Sequence, residues 1–139
     1  MTTARVTPQW LAQQAAKATA PVVKRPAPTR KEREIQKAIL AYLALVPTVT
    51  AWRNNSGAAM LPKDGRGTFM PVRFGFKGLA DIGGWVKASP WPRPLYIEVK
   101  REGRYPDVYQ RAFLDKARAD GCLVIVARNV EDVRRGLGL

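Results

Sequence analysis

The sequence predicts a mixed α/β domain, in which a small sheet is flanked by helices in the order α-β-β-β-α-β-α. Three observations support this class. An amphipathic helical stripe follows residue 29, two strand-like runs are joined by a Pro-rich turn at residues 88–94, and the continuous apolar run CLVIVA follows a second helical stripe. Helices that alternate with strands in this way pack onto a shared sheet.

Composition limits the partners that the chain can bind. It has 139 residues, enough for one ordinary domain, and 24 Lys and Arg residues against 11 Asp and Glu residues give a net charge of +13. Such an excess favours a polyanionic partner, either nucleic acid or an anionic membrane surface. No apolar run reaches the roughly 18–20 residues of a membrane span and no secretory signal is recognisable. We therefore expect a cytoplasmic protein that binds no membrane.

Composition also limits the chemistry. The absence of His excludes a His general base, a Ser-His-Asp triad and His-ligated zinc. The one Cys, Cys122, lies in an apolar run and is expected to be a core residue without a disulfide. Any hydrolytic chemistry must then be carried out by carboxylates and lysine, with or without a hard metal ion.

The chain divides into a basic arm, residues 1–28, and a domain, residues 29–139. In the arm, TPQWLAQQAAKATA suits a short helix and PVVKRPAPT an extended linker, and a basic arm of this kind would bind DNA without specificity. The domain opens with a helix that Pro47 ends, whose apolar stripe comprises Ile35, Ile39, Tyr42, Leu43 and Val46. TVTAWRNN follows as a short strand.

Residues 55–80 show no sustained period and predict a long loop with room for a small hairpin. Basic residues alternate there with Phe, a pattern suited to phosphate contact and base stacking. The basic set is Lys63, Arg66, Arg73 and Lys77, and the Phe set is Phe69, Phe74 and Phe76. In the neighbouring RNNSGA motif, Asn55 and Ser56 suit phosphate binding or an ordinary turn.

The second half of the domain predicts two strands, DIGGWVK and LYIEVKR, joined as a hairpin. A helix follows at residues 106–120 and ends at Gly121, which takes the left-handed position after the helix. CLVIVA predicts a strand covered on both faces, and VEDVRRGLG a closing helix.

Two carboxylates and a lysine meet in this hairpin. Asp81 begins one strand, and Glu98 and Lys100 lie on one face near the end of the next, so an antiparallel pairing brings the two acids together. Two carboxylates suit Mg²⁺, and a lysine on the same face can orient or deprotonate a water or offset phosphate charge. The alternative is a surface ion-pair cluster across the hairpin, worth about 0–1 kcal/mol.

The pieces EREIQKAILAYL, RNNSG, GLADIGG, IEVKREGR and GCLVIVARNVEDV occur in an order that resembles the virus-type replication-repair nuclease (VRR-NUC) domain. This domain is a branch of the PD-(D/E)xK nuclease superfamily and occurs in phage proteins and in DNA-repair nucleases. The likeness runs from about residue 32 to the C-terminus, roughly three-quarters of the chain. Ala80 departs from the superfamily, which often has Pro before the Asp, but that position supplies no ligand.

The resemblance implies a restriction-endonuclease-like core and a metal-dependent DNA endonuclease. It assigns Asp81, Glu98 and the Val99 carbonyl as ligands of Mg²⁺ or Mn²⁺, and Lys100 as the catalytic lysine. It further implies a homodimer that acts on branched DNA, such as four-way junctions, in the cytoplasm of a phage host or bacterium. Nothing in the sequence excludes RNA, and the rival interpretation is a non-catalytic nucleic-acid-binding protein on a nuclease fold.

The resemblance also implies a Glu on the first helix. At 100° per residue Glu32 lies about 60° from Ile35, at the edge of the apolar stripe, whereas Glu34 lies about 100° the other way, toward solvent. Glu32 is therefore the preferred catalytic acid, although Thr29-x-x-Glu32 also reads as a capping box. Gln36 lies on the same side as Glu32 and is a weaker candidate for a supporting contact.

Gln110 is the remaining site candidate. It shares a helical stripe with Phe113, Leu114 and Ala117, so it faces the sheet and needs a buried partner. The carboxylates are the obvious partners, and the resemblance also places a Gln here. Arg101 and Arg104 flank the site and suit phosphate contact.

Overall fold

The structure is a computed structural model that describes residues 30–139. The predicted arm, residues 1–28, and Thr29 of the predicted capping box lie outside the described residues. In chain order the elements are α1 (Arg30–Leu43), β1 (Val49–Arg53), β2 (Gly57–Pro62), β3 (Phe69–Phe74), β4 (Ile82–Val86), β5 (Arg93–Val99), α2 (Val108–Ala119), β6 (Leu123–Ala127) and α3 (Val130–Leu137).

The predicted mixed α/β class is confirmed over these residues. A four-stranded sheet has the order β1-β4-β5-β6, in which β4 is antiparallel to both β1 and β5, and β6 is parallel to β5. The strands β2 and β3 form a separate two-stranded antiparallel sheet. Between residues 30 and 139, no helix combines the length and the apolar character needed to cross a membrane.

The sheet separates two helical layers. On one face, apolar side chains of β4, β5 and β6 pack against Ile39 and Leu43 of α1 and Val133 of α3. On the other face, α2 covers Tyr96, whose ring meets the Phe113 ring edge-on with centroids 4.9 Å apart. Strand β5 therefore has one face in the apolar core and the other beneath α2.

Helix α1 ends earlier than predicted, at Leu43 rather than next to Pro47. Its last turn tightens, because Leu45 N–H donates to the Tyr42 carbonyl at 2.9 Å and Val46 N–H to the Leu43 carbonyl at 3.1 Å. The residue before a proline avoids helical backbone, so Val46 leaves the helix. Val46 is nevertheless buried, and it completes the predicted stripe from the turn.

The segment predicted as a loop at residues 55–80 contains two six-residue strands, β2 and β3. Its sequence carries no clear alternation because nearly every side chain in the pair is exposed. Only Ala59 and Val72 are half-buried, and these two residues pair with each other across the strands. We call this two-stranded unit the β2–β3 hairpin.

The C-terminal end of α2 follows the rule that predicted it. Gly121 has φ +92°, and the backbone N–H groups of Gly121 and Cys122 donate to the carbonyls of Arg118 and Ala117 at 3.1 and 3.0 Å. This is a Schellman motif, which satisfies carbonyls at the end of the helix. Helix α2 spans Val108–Ala119, inside the predicted 106–120.

Helix α3 is held at its start by Asn129 and Asp132. The Asn129 side chain accepts from Asp132 N–H at 2.8 Å, and the Asp132 carboxylate accepts from Arg128 N–H at 2.8 Å. The Arg128 hydrogen bond, aided by the Arg135 guanidinium, holds the pKa of Asp132 below its ordinary value of 3.8, against the effect of burial.

We expect Asp132→Asn to lower the free energy of unfolding by about 0.5–1 kcal/mol at neutral pH, because it removes a charge from the first turn of α3. The pKa of the folded carboxyl is lowered, so its contribution is complete above 3.8 and is lost as pH falls through the folded pKa. Thermal unfolding of wild type and variant should therefore converge in acid. Asp115→Asn, an exposed position on α2, is the control and should change stability little at either pH.

Candidate active site

The structure brings the predicted Asp81 and Glu98 together. Asp81 directly precedes β4, and the antiparallel register places Ile82 opposite Ile97. Asp81 therefore lies one step further along the pair, beside Glu98. The Asp81 carboxylate oxygen Oδ2 also accepts a hydrogen bond from the Val99 backbone N–H at 2.8 Å. A side chain from the start of one strand is thus fixed to the end of the next.

Glu98 is completely buried beneath α2, at 0% exposure. Its oxygen Oε1 accepts from Lys100 Nζ at 2.7 Å and from Gln110 Nε2. The side chain of Lys100 is itself only 10% exposed. The surface ion-pair interpretation is therefore wrong for these two residues, because the pair is buried and its desolvation is a major cost.

Gln110 is held in one orientation by the start of α2. Its oxygen Oε1 accepts from Asp107 N–H at 2.8 Å, while Asp107 Oδ1 accepts from the backbone N–H groups of Tyr109 and Gln110 at 2.9 Å. This is a capping box, and it directs the amide oxygen of Gln110 to the backbone and its NH₂ group to Glu98. The spacing Asp107-x-x-Gln110 was the sequence signal for this box, and the sequence analysis missed it.

The backbone around Asp81 is held by Asn54. The Asn54 N–H donates to the Asp81 carbonyl at 2.8 Å, and its side-chain Nδ2 donates to the Ala80 carbonyl at 3.0 Å. Gln36, buried on α1, reaches the Asp81 carbonyl through Nε2 at 3.4 Å, a long contact. The RNNSG motif thus contributes through Asn54, whereas Asn55 and Ser56, the residues that the sequence analysis singled out, are exposed.

The two acids of α1 lie on different sides of the helix. Glu32 is half-buried and lies one turn before Gln36, on the side that approaches Asp81. Glu34 lines a cleft of about 360 Å³ with Arg128 and Val130, away from Asp81. Among residues 30–139, no group of three or more acidic or Cys side chains that could hold a metal ion is found.

Gly78 allows the segment before Asp81 to pack against the first turn of α2. Its φ is +91°, and a Cβ built on it would lie 2.5 Å from the Tyr109 carbonyl oxygen and 3.1 Å from Gln110 N. Lys77 extends over the Tyr109 ring, with Nζ 3.5 Å from the centroid. The glycine of the GLAD motif therefore sets the distance between Asp81 and the helix that carries Gln110.

The β2–β3 hairpin is attached beside this site, since it leaves the sheet after Asn54 and returns to it before Asp81. Phe69 and Phe74 on the hairpin are 57% and 41% exposed, whereas Phe76 packs against Phe113. The predicted basic residues Lys63, Arg66, Arg73 and Lys77 are exposed, as is Arg104, and Arg101 is half-exposed.

The donor set fits a hard divalent cation. Asp81 and Glu98 supply carboxylate oxygens, which Mg²⁺ and Mn²⁺ prefer. The N–H of Val99 points to Asp81, and in an extended strand the N–H and C=O of one residue lie on the same side, so the Val99 carbonyl is directed to the Asp81 side as well. These three groups are the ones that would hold the ion.

No protein-family model matches this chain, and no curated protein matches it either. The interpretation of the site therefore depends on the motifs and on the geometry described above.

We expect Gly78→Ala to be more destabilising than Gly121→Ala. The two glycines have nearly the same φ, +91° and +92°, but a Cβ meets nothing within 4 Å at Gly121 and meets the α2 backbone at Gly78. Gly121→Ala should cost about 1–2 kcal/mol for left-handed backbone, and Gly78→Ala about 1–3 kcal/mol more for overpacking. Chemical denaturation measures both, and equal losses would contradict the proposed packing of Gly78.

Proposed function

We propose that this chain is a metal-dependent nuclease of the PD-(D/E)xK superfamily, in the VRR-NUC branch, which hydrolyses phosphodiester bonds of DNA with Mg²⁺ or Mn²⁺. One observation carries the proposal. The buried Glu98 carboxylate lies beside Asp81 and accepts from both Lys100 and Gln110. A buried carboxylate held in this way, next to a second acid, is costly as a purely structural feature.

The order of the strands supports a restriction-endonuclease-like core. Strands β1, β4 and β5 form an antiparallel meander, α2 crosses over, and β6 returns parallel to β5. The proposed ligands come from the start of β4 and the end of β5, where that core is expected to hold them. The β2–β3 hairpin is then an insertion between the first two strands of the core.

Each residue has a role in the proposed reaction. Asp81, Glu98 and the Val99 carbonyl hold the cation, which when bound lowers the pKa of a coordinated water and stabilises charge on the phosphate. Lys100, whose ammonium group contacts Glu98, offsets phosphate charge and orients the attacking water. Gln110 positions the Glu98 carboxylate. Glu32 is the proposed additional acid, on the side of α1 that approaches Asp81.

The charge of the chain supports a nucleic-acid substrate. The net charge is +13, and the β2–β3 hairpin beside the site carries exposed basic and aromatic side chains. A strand that passes the carboxylates can contact this hairpin with its phosphates. More specifically, we propose that the substrate is branched DNA and that a homodimer, with two active sites, cuts two of its strands.

A cleavage assay tests the proposal. Wild type should cut at least one of duplex, flap, single-stranded and four-way-junction DNA with Mg²⁺ or Mn²⁺ and should be inactive in EDTA. Asp81→Ala and Lys100→Ala should each lower the rate at least about 100-fold, because each removes a group that stabilises the transition state. Asp115→Ala and Lys116→Ala, exposed residues of α2, are matched controls and should cut like wild type.

Two results would contradict the nuclease. If wild type binds these DNAs but cuts none, the chain is a non-catalytic nucleic-acid-binding protein on this fold. If Asp81→Ala and Lys100→Ala cut as fast as wild type, the activity comes from elsewhere. An RNA strand of the same sequence, included in the assay, decides between the two nucleic acids.

A further inference from the structure

Two tryptophans lie on the same face of the sheet as Glu98. The registers pair Trp52 with Gly83 and Gly83 with Tyr96, and partners in antiparallel strands direct their side chains to one face. Trp85 is two residues beyond Gly83 and shares that face. Since Tyr96 contacts α2, both indoles are on the α2 side of the sheet.

Helix α2 leaves this part of the face open. It covers β5 at Tyr96 and Glu98, while Trp52 and Trp85 on the neighbouring strands β1 and β4 remain 47% and 43% exposed. Their rings meet edge to face, with centroids 5.5 Å apart and planes at 67°. We call these two side chains the Trp pair. The Trp pair is an exposed aromatic surface beside the Glu98 site, which α2 covers over β5 but not over β1 and β4.

Hydrogen bonds of Asn54 link the Trp pair to the backbone next to Asp81. Trp52 Nε1 donates to Asn54 Oδ1 at 3.1 Å, and the other amide atom of Asn54 donates to the Ala80 carbonyl at 3.0 Å. Gly83 leaves room for this amide, because a Cβ there would lie 2.9 Å from Asn54 Nδ2. The indole of Trp52 is therefore oriented by the same side chain that holds the backbone before Asp81.

We propose that the Trp pair is a stacking platform for an unpaired base, next to the phosphate that binds at Asp81 and Glu98. The inference rests on the proposed function and specifies its substrate as a strand with unstacked bases near the scissile bond. Aromatic side chains stack on any base through its π-face, whereas a base inside a duplex has both faces covered by its neighbours.

Charge favours a nucleic-acid strand over a second copy of this chain as the occupant. The net charge of +13 attracts a polyanion, so a nucleic-acid strand on this face has an electrostatic gain that a second copy of the chain lacks. Exposed Lys87 lies two residues beyond Trp85 and is directed to the same face, where it can meet the phosphates of a stacked strand. The combination of aromatic rings and cations is that of single-strand binding surfaces.

Direct binding measurements in EDTA, which prevents metal-dependent cleavage, test the platform. The probes are end-labelled oligo(dT), an abasic deoxyribose-phosphate oligomer of the same length and a duplex. The variants are Trp85→Leu, which keeps apolar bulk but removes the π-face, and Trp85→Phe, which keeps a smaller ring. Trp91→Leu, at a 79% exposed position between β4 and β5, is the matched control. Thermal unfolding of each variant confirms that it is folded.

Trp85→Leu should weaken oligo(dT) binding about fivefold or more, as expected for one lost base stack. Trp85→Phe should retain most of the affinity, and Trp91→Leu should equal wild type. On the abasic oligomer, Trp85→Leu and wild type should bind equally, because that probe keeps the phosphates and lacks the bases. Trp85→Leu should also reduce the quenching of tryptophan fluorescence by oligo(dT), with the remainder coming from Trp52.

Equal binding of oligo(dT) by folded Trp85→Leu and wild type would overturn the platform and leave the nuclease proposal standing if wild type cuts DNA. A Trp85→Leu variant that loses self-association in sedimentation, with unchanged oligo(dT) binding, would assign the face to a second copy. If wild type binds none of the probes, the platform fails, and the cleavage assay with Mg²⁺ or Mn²⁺ decides the proposed function separately.

Discussion

The buried carboxylate of Glu98 is the constraint on which the rest of this structure depends. A fully buried acid is costly unless charged and polar partners surround it, and here Lys100 and Gln110 both donate to the same oxygen. Gln110 can donate to it because the capping box with Asp107 fixes its amide. The hydrogen bonds that cap the start of α2 therefore also orient the Glu98 carboxylate, through the Gln110 amide.

Asp81 depends on a second set of contacts, which come from elements remote in sequence. Asn54 donates hydrogen bonds to the carbonyls of Ala80 and Asp81, and the Val99 N–H donates to the Asp81 carboxylate. Gly78 lets the segment before Asp81 lie against α2. These contacts leave the α2 face of the sheet enclosed over β5 and open over β1 and β4. The site is therefore buried beneath α2 and open on the side of the Trp pair.

Local patterns were enough to predict the helices between residues 30 and 139, the β4–β5 hairpin, the strand β6 and the left-handed Gly121, because each depends on neighbours in sequence or on a clear apolar period. They also predicted that Asp81 and Glu98 meet, since strand register follows from a short hairpin. The β2–β3 hairpin was predicted only as an option within a loop, because its exposed faces impose no alternation. The roles of Asn54 and Gly78 could not be predicted, because each depends on a contact between distant segments. The orientation of Gln110 could have been predicted from the Asp107-x-x-Gln110 spacing, which is typical of a capping box.

Asp81, Glu98 and the Val99 carbonyl are proposed to hold a divalent cation beside Lys100. A crystal structure of the protein grown with Mn²⁺, with anomalous diffraction measured at the manganese edge, tests it most directly. We predict an anomalous peak within coordination distance of both carboxylates, about 2.0–2.3 Å from their oxygens, which is absent in crystals of Asp81→Asn. The proposal would be contradicted if both carboxylates are ordered, no anomalous peak lies beside them, and Lys100 is the only charged group that contacts Glu98.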